Sequence, residues 1–420
     1  MSSLKLRKCY NNTILILALV FSAFPILPRG IESLIVILLG TLSFIYFLVE
    51  GKKSWVLTKT KLIFGLSAVF WVYLLTLVYT NNINFGLVTL KKMLPLIIVP
   101  FVFLLNENIL LQNKNTSKFI AVYITSIFIF LIYLNIFIYK SLFISGVDNV
   151  VFRNIFEKTT KVHGTYFSMW IGFGVLLLLK KIIENKNNIK KILLFVSIIL
   201  FFIYWQSIIA ARMPFITTII FLIVYLLKNN SKIMIYFIIL VSGILFFVPR
   251  NDAFKKRVER IKNYELNFPK GEYSTNWQNI STEQVRNGIY YCSYIKIKQS
   301  PIYGYGVGDA DDQLQECYNC KFTDTDTYKM FRYNSHNQFL DFILVSGILG
   351  ITFIMFFQFK ILNFAMKSKN KFYLFFIFYF LINNTFENIL NRQDGVMFLS
   401  FFNAILFFKL NNKNEKSINS

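Results

Sequence analysis

The stretch YNSHNQFLDFILVSGILG, residues 333–350, joins two kinds of sequence. Before it lies the longest polar segment of the chain, residues 249–335, and from Gln338 onward apolar residues follow one another as in a membrane-spanning helix. His336, one of only two histidines in the chain, stands at the junction. The stretch therefore predicts a helix that enters a membrane beside a histidine.

The composition indicates a membrane protein. The chain has 420 residues, of which 55% are hydrophobic and 48 are phenylalanine. A soluble domain does not need so much apolar surface, and apolar runs of membrane-spanning length recur along the sequence. The net charge is +24 although only 16% of the residues are charged, which in a soluble protein would suggest nucleic-acid binding.

About twelve apolar stretches are long enough to cross a hydrocarbon core of ~30 Å. They predict an all-α polytopic membrane protein with helices near residues 13–28, 31–49, 62–80, 83–105, 118–139, 162–180, 191–209, 212–227, 232–248, 336–358, 371–384 and 394–410. The first is interpreted as a retained anchor, because no convincing cleavage site follows it. The predicted organisation is helices 1–9 in residues 1–248, a large, mainly helical loop in 249–335, and helices 10–12 with a tail in 336–420.

The basic residues predict the orientation of these helices. With the N-terminus in the cytoplasm, the cytoplasmic loops and both tails carry 23 Lys and Arg residues, and the short loops on the other side carry 9. This is the positive-inside bias. Both termini are therefore expected in the cytoplasm and residues 249–335 outside, so the basic charge is a topology signal and does not predict a nucleic-acid partner.

The external segment contains a predicted helix followed by a glycine-rich turn. Val285, Ile289 and Cys292 fit one face of a helix that Pro301 ends. Gly304 and Gly306 follow in a flexible turn. A lone glycine-rich turn is a weak phosphate-binding signal, and because no strand precedes it the Rossmann and P-loop interpretations are excluded.

Five stretches, in this order, resemble the O-antigen ligase and O-antigen polymerase superfamily of bacterial envelope glycan enzymes. They are KVHGTYFSMW at 161–170, AARMPF at 210–215, VRNGIYYCSYIKIKQSPIYGYGVGD at 285–309, SHNQFLDFILVSGILG at 335–350 and FENILNRQDGVMFLSFF at 386–402. The fourth is the most specific, since it resembles the His-Asn-x-x-Leu…Gly-x-x-Gly signature. One departure is Met213 after Arg212, where the family usually has a small residue.

The resemblance implies a GT-C-like membrane fold and a function. It implies a multi-pass glycosyltransferase of the bacterial inner membrane that needs no cofactor or metal. The donor would be a glycan on undecaprenyl diphosphate, the acceptor lipid A-core or another glycan, and the active site would face the periplasm among membrane lipids. By resemblance, His336 is the candidate base, and Arg286 and Arg212 are the candidate clamps for the diphosphate.

The chemistry suits these residue types. A diphosphate is already a good leaving group, and its charge has to be held, which the permanently charged, bidentate guanidinium of arginine does well. In a low-dielectric pocket such groups can take the place of a metal. The acceptor hydroxyl needs a base near neutral pH, which histidine provides.

Each candidate also has a purely structural interpretation. His336 would simply cap its helix, a task that Ser335 or Asn334 could also perform. Arg212 would snorkel at the membrane edge, and Arg286 would lie on a solvated helix face. His163, also at a helix start, is a candidate for substrate binding that either lines the pocket or only anchors at the interface.

Four further candidates for substrate binding are predicted. Glu387 either pairs with Arg392 or orients a catalytic group, and Gly304 and Gly306 form the turn described above. Lys92 lies within an apolar stretch, where a lysine is costly. Residues 83–92 are expected to form an interfacial helix on the outer side, with donor binding by Lys92 as the second possibility.

The four cysteines are interpreted as structural. Cys9 is expected in the cytoplasm, and Cys292, Cys317 and Cys320 in the external loop, which is an oxidising place if it is periplasmic. Cys317 could pair with Cys320, or Cys292 with either, and a zinc site would want a fourth ligand that is not evident.

Three functions remain open on the sequence. The first and favoured one is a ligase that transfers the lipid-linked glycan to a terminal acceptor. The second is a polymerase that extends a lipid-linked chain by the same donor chemistry. The third, a non-enzymatic transporter of the same lipid, is disfavoured because Arg, Gly and His concentrate on one face of the membrane. The sequence does not identify the acceptor, the sugars and their linkage, or the oligomeric state.

Overall fold

A computed structural model describes residues 2–50, 61–136, 149–185, 187–228, 282–322, 328, 332–368 and 371–418. Over these residues the protein is helical and contains no strand. The α-helices are α1 Ser2–Ser22, α2 Arg29–Glu50, α3 Ala68–Thr76, α4 Ile83–Met93, α5 Pro95–Leu105, α6 Glu107–Leu110, α7 Asn113–Leu134, α8 Asn149–Thr160, α9 Gly164–Glu184, α10 Ile189–Ile209, α11 Arg212–Lys228, α12 Thr282–Gln299, α13 Ala310–Lys321, α14 Gln338–Lys367, α15 Phe372–Asn384 and α16 Gln393–Ile418. Two 3-10 helices lie at Phe24–Ile26 and Ile389–Asn391.

The all-helical membrane architecture predicted from the sequence is confirmed in its coarse form. Seven helices of the described residues are long and apolar enough to cross a membrane. They are Arg29–Val49, Ile83–Leu105, Asn113–Leu134, Gly164–Glu184, Ile189–Ile209, Gln338–Lys367 and Gln393–Leu410. The predicted span at 232–248 lies outside the described residues, and the total of twelve stays a prediction.

The chain divides into two compact units. The first comprises Met1–Ile35 and Gln112–Asn263, and the second Val36–Leu111 and Tyr264–Ser420. In the first unit α9 is the central helix and packs against α10 and α11. Polar contacts join these three helices, because the buried Gln206 side chain donates from Nε2 to the Ser168 carbonyl at 2.7 Å and to Thr218 Oγ1 at 3.1 Å.

The second unit is built around α16, which packs against α5, and α14, which packs against α3, α15 and α12. Its core is rich in phenylalanine, and Phe103 and Phe401 meet edge to face at 6.1 Å between ring centroids. Aromatic side chains bury a large area each and interlock in such pairs, which explains how a chain with 48 phenylalanines packs closely.

The described part of the predicted loop 249–335 is mainly two helices, α12 and α13. Helix α12 ends at Gln299, just before Pro301, as the sequence predicts. The predicted inner face is confirmed, since Val285, Ile289 and Cys292 are all buried.

Candidate functional site

His336 lies in an unusual backbone conformation immediately before α14. Its φ is 44°, in the left-handed region that residues other than glycine rarely adopt. The Asn334 side chain holds this turn, because its Oδ1 accepts a hydrogen bond from the His336 N–H at 3.1 Å. Ser335 Oγ donates to the Asn337 carbonyl at 3.0 Å. Local hydrogen bonds thus fix the position from which the imidazole projects.

Asn337 is the N-cap residue of α14. Its side-chain oxygen accepts from the N–H groups of Phe339 at 2.9 Å and Leu340 at 3.2 Å, which is the usual way to satisfy a helix start. The imidazole of His336 is therefore not needed as the cap, and the structural alternative stated for it above does not describe the structure.

The imidazole of His336 contacts a carboxylate. Its Nδ1 lies 3.2 Å from Oε1 of Glu387, and the two side chains are 22% and 9% exposed. A carboxylate only accepts hydrogen bonds, so the contact is a hydrogen bond when Nδ1 carries the ring proton. The structure thus shows Glu387 in contact with the candidate catalytic group, and the neutral ring then has Nε2 available to accept a proton.

A second carboxylate, Asp341, lies one turn into α14 and is buried. Four side chains donate to it: Tyr73 at 2.5 Å, Asn388 at 3.0 Å, and Gln338 and Asn391 at 3.2 Å. A buried carboxylate is tolerated only with such a full set of donors. Sequence reasoning missed Asp341, although a single acid inside an apolar helix was a usable signal.

Asn388 connects this network to the histidine turn. Its Nδ2 donates both to Asp341 Oδ1 at 3.0 Å and to Ser335 Oγ at 3.0 Å. Ser335 precedes His336 and Glu387 precedes Asn388 in the chain. The buried network thus fastens the two segments that supply the imidazole and its carboxylate.

Helix α14 is broken at Gly347, where φ is 61° and ψ is −166°. The loop from Pro301 to Gly306 fills the break. Tyr305 N–H donates to the Leu344 carbonyl at 2.8 Å, Gly306 N–H donates to the Val345 carbonyl at 2.9 Å, and Ile348 N–H donates to the Pro301 carbonyl at 2.9 Å. The glycine-rich loop and the helix that follows the histidine turn are therefore joined by backbone hydrogen bonds.

Gly304 and Gly306 serve close backbone packing in this element. A Cβ on Gly304 would lie 2.6 Å from the Leu344 carbonyl oxygen, and one on Gly306 would lie 2.8 Å from Thr80 Cβ. The next two N–H groups, of Val307 and Gly308, donate to the hydroxyls of Thr76 and Thr80. The structure gives these glycines a packing role, and their part in substrate binding stays a prediction.

Arg286 lies in the first turns of α12 and is half-buried. Among the described residues its guanidinium has neither a hydrogen-bond nor an ion-pair partner, unlike Arg332, which contacts Asp312. A half-buried guanidinium left without an anion is suited to bind one supplied by a substrate. Helix α12 packs against α14, which carries the histidine turn at its start.

An aromatic cluster lies between the start of α12 and His336. Tyr328 donates from its hydroxyl to the carbonyl of Val285, the neighbour of Arg286, at 3.3 Å. Its ring lies 5.8 Å from that of Tyr333, and the Tyr333 ring lies 5.8 Å from that of His336. This chain of contacts ties the backbone at Arg286 to the histidine turn.

Lys92 belongs to the same unit and is half-buried near the end of α4, a helix that begins at Ile83 much as predicted. It lies near Asp311 on α13, a carboxyl group for which burial is the largest cause of a pKa raised to about 7. The negative charge of Asp341 raises this pKa further, whereas the positive charges of Arg332 and Lys92 lower it. Sequence reasoning did not single out Asp311.

Arg212 and His163 belong to the first unit. Arg212 begins α11 two residues after Ala210, whose φ of 55° lies in the tight turn between α10 and α11. His163 caps α9: its Nδ1 accepts from the Thr165 N–H at 3.4 Å and its Nε2 lies 3.7 Å from Glu157 Oε1. The other predicted site residues all lie in the second unit.

One disulfide joins α12 to α13. Cys292 pairs with Cys317, one of the pairings left open by the sequence, while Cys320 and Cys9 are free and exposed. Buried Lys296 adds a second link between these helices, because its Nζ donates to Gln313 and to Glu316 at 2.8 Å each. No group of three or more His, Cys, Asp or Glu in the described part of the chain could hold a metal ion.

The sequence was also compared with known protein families and with curated proteins. No curated protein matches the chain. The sequence model of the family described as O-antigen ligase matches residues 191–355, a region that includes Arg212, Arg286, Gly304, Gly306 and His336. Together with the apolar helices, this match makes the chain a multi-pass membrane protein. It confirms, for residues 191–355, the resemblance to the O-antigen ligase superfamily that the motifs predict.

Proposed function

We propose that this protein is a ligase-type glycosyltransferase that moves a glycan from an undecaprenyl-diphosphate carrier to an acceptor hydroxyl, with lipid A-core as the acceptor. The observation that carries the proposal is the contact between His336 Nδ1 and Glu387 Oε1 at 3.2 Å. It supplies an oriented base in the chain segment that the O-antigen ligase family shares.

The proposed reaction begins with the acceptor hydroxyl. The Glu387 carboxylate accepts a hydrogen bond from the Nδ1–H of His336, so the Nε2 lone pair is available to take the proton of the hydroxyl. The acceptor oxygen then bonds to the anomeric carbon of the donor glycan. The bond from that carbon to the diphosphate oxygen breaks, and undecaprenyl diphosphate leaves with the electron pair.

The leaving diphosphate needs its growing negative charge held. The guanidinium of Arg286, half-buried and without an anionic partner among the described residues, is the first candidate. Lys92 is proposed to share the charge, and Gly304 and Gly306 to line the substrate site. The predicted roles of Arg212 in holding the diphosphate and of His163 in substrate binding stay predictions from the sequence, since both residues belong to the first unit. Because guanidinium groups supply the electrostatic stabilisation, we expect transfer to continue at full rate in excess EDTA.

The proposed location is the periplasmic face of a bacterial inner membrane, with both termini in the cytoplasm. It is supported by the distribution of Lys and Arg, 23 against 9. The two free cysteines, Cys9 and Cys320, allow a direct test. A membrane-impermeant maleimide added to spheroplasts should label Cys320 and spare Cys9 until lysis, and the reverse pattern would overturn the orientation.

The transfer reaction is tested with the purified protein in nanodiscs, an undecaprenyl-diphosphate-linked glycan and an acceptor. His336→Asn is the informative variant, because asparagine tolerates a left-handed backbone and keeps the turn while removing the base. We expect it to lose transfer about 10²–10⁴-fold, the usual contribution of a general base. Transfer by His336→Asn at the wild-type rate would overturn the role of the imidazole.

A matched pair of variants tests the diphosphate clamp. Arg286→Ala should abolish transfer, whereas Lys298→Ala removes an exposed cation from the same helix and should leave the rate unchanged. Equal losses in both variants would indicate a general charge effect and contradict the assignment.

A competition experiment between two acceptors identifies the one that the protein uses. Lipid A-core and a second lipid-linked glycan are offered together, and the products are separated by mass. We expect glycosylated lipid A-core. Lengthening of the lipid-linked glycan instead would identify a polymerase with the same donor chemistry.

A further inference from the structure

The loop from Pro301 to Gly306 is bonded to a helix that crosses the membrane. Its backbone contacts α14 on both sides of the break at Gly347, through bonds to Leu344, Val345 and Ile348. Part of the polar segment 249–335 is therefore fixed to a membrane-spanning helix rather than held out in solvent.

The sequence of α14 indicates how deep this attachment lies. Between Asp341 and Lys360 no residue is charged, and these 18 residues span about 27 Å as a helix, close to the ~30 Å hydrocarbon core. Lys360 lies over the Phe356 ring at 4.2 Å from its centroid, as a lysine does when it snorkels from a membrane boundary. Gly347 is then about 8 Å inside the opposite boundary.

The carbonyl groups of the loop from Pro301 to Gly304 are all paired within the protein. The carbonyls of Pro301 and Ile302 accept from the N–H groups of Ile348 and Leu349 at 2.9 and 3.4 Å. The Tyr303 carbonyl accepts from the Tyr79 hydroxyl at 2.5 Å, and the Gly304 carbonyl accepts from Ser300 Oγ at 2.7 Å. Non-helical backbone at membrane depth is stable only when its polar groups are paired within the protein.

Two large side chains of the same loop, those of Ile302 and Tyr303, are mostly exposed. Ile302 is 51% and Tyr303 63% exposed, and they adjoin Ile348 and Leu349 on α14, which are 54% and 55% exposed. The end of α3 continues the patch, because Val78 is 86% exposed beside Tyr79. The loop thus extends the outward apolar surface of a membrane helix.

We propose that the loop Pro301–Tyr305 inserts into the lipid leaflet on the His336 side, with Ile302 and Tyr303 in contact with acyl chains at the headgroup boundary. Tyrosine is enriched at that boundary, since its ring is apolar and its hydroxyl reaches water. The insertion sets the start of α14 at the lipid surface. It depends on the apolar surface and backbone bonds alone and holds whether or not the protein transfers glycans.

Spin-label accessibility in nanodiscs tests the insertion. A nitroxide is placed at Tyr303→Cys in a Cys9→Ser, Cys320→Ser background, without reductant so that the Cys292–Cys317 bond is kept. Collision with oxygen, which concentrates in lipid, is compared with collision with a nickel chelate, which stays in water. Leu349→Cys in the same background is the lipid-facing control, and the native, exposed Cys320 in Cys9→Ser is the aqueous control.

We expect the label at residue 303 to match that at residue 349, with high oxygen and low nickel accessibility. A profile like that of Cys320 would place the loop in water, and low accessibility to both reagents would show that protein covers it. Either result overturns the proposal. Ile302→Cys provides a second position in case the first variant is poorly folded.

Discussion

Nδ1 of His336 lies 3.2 Å from Oε1 of Glu387, although 51 positions separate the two residues in the chain. The imidazole projects from the turn before α14, and the carboxylate from the segment between α15 and α16. Their meeting depends on the buried bonds from Asn388 to Ser335 and Asp341. The relationship between base and carboxylate is thus a product of the fold and not of local sequence.

Glu387→Gln should slow transfer within the about 10²–10⁴-fold range of general-base effects while leaving the Km for the donor unchanged. The glutamine amide can turn its NH2 group toward Nδ1. Nδ1 would then have to accept, and the ring proton would move to Nε2, the atom that must take the proton of the acceptor. The measurement is steady-state transfer over a range of donor concentrations.

The tautomer itself can be measured because the chain has only two histidines. In a His163→Gln background, nitrogen-15 spectra report His336 alone. Glu387 should hold the neutral ring with its proton on Nδ1, and Glu387→Gln should shift it toward Nε2. An unchanged tautomer together with a slowed reaction would exclude this orienting role.

The sequence predicted candidate residues for the site but not the buried network that supports two of them. The motifs predicted His336, Arg286 and Glu387 because each residue type suits a chemical step. Asp341 escaped notice because three of its four donors, Tyr73, Asn388 and Asn391, lie far from it in the sequence, and only the folded chain brings them to it. Helical architecture was predictable for the physical reason that long apolar runs have few alternatives in a membrane.

The break in α14 was not predictable from spacing. Small residues such as Gly347 and Gly350 commonly permit close helix packing in membranes. Gly347 instead adopts a conformation open almost only to glycine, and the loop that enters the break lies more than forty residues earlier in the chain. A contact of that range leaves no periodic pattern in the sequence.

Gly347→Ala should destabilise the protein strongly. A Cβ at this position would overlap the carbonyl oxygen of Ile302, and the backbone conformation alone costs an alanine on the order of 1–3 kcal/mol. We expect a clear fall in the apparent unfolding temperature in detergent. Gly30→Ala is the matched control, because a Cβ there meets nothing within 4 Å. Equal stability of the two variants would show that the break is not required.

Asp341→Ala should also destabilise the protein, because it leaves four donors in the buried network without their acceptor. Each orphaned donor costs roughly 1–3 kcal/mol unless water replaces the carboxylate. The unfolding temperature is compared with that of Glu184→Gln. This control removes a carboxylate that is 47% exposed and pairs with Lys181 at 3.5 Å, so its loss should be nearly neutral. A neutral Asp341→Ala would mean that the network adds no stability.

Asp311 should make stability depend on pH. Burial first, then the charges of Asp341 and Asp312, raise its pKa from 3.8 to about 7, while Arg332 and Lys92 lower it. Between pH 3.8 and about 7 the folded protein therefore keeps a proton on Asp311 that the unfolded chain releases. The stabilisation from this proton is fully present below pH 3.8 and is lost as the pH rises through 7. Asp311→Asn cannot ionise and should escape the loss.

The expected result is an apparent unfolding temperature for Asp311→Asn that is above wild type at pH 8 and equal to it at pH 4. Asp312→Asn is the matched control on the same turn, and it should gain nothing at pH 8 because Asp312 contacts Arg332 and accepts from Asn82. If Asp311→Asn were instead less stable than wild type at pH 8, Lys92 or Arg332 would be stabilising the ionised carboxylate. The ionised carboxylate of Asp311 would then stabilise the folded protein, contrary to this prediction.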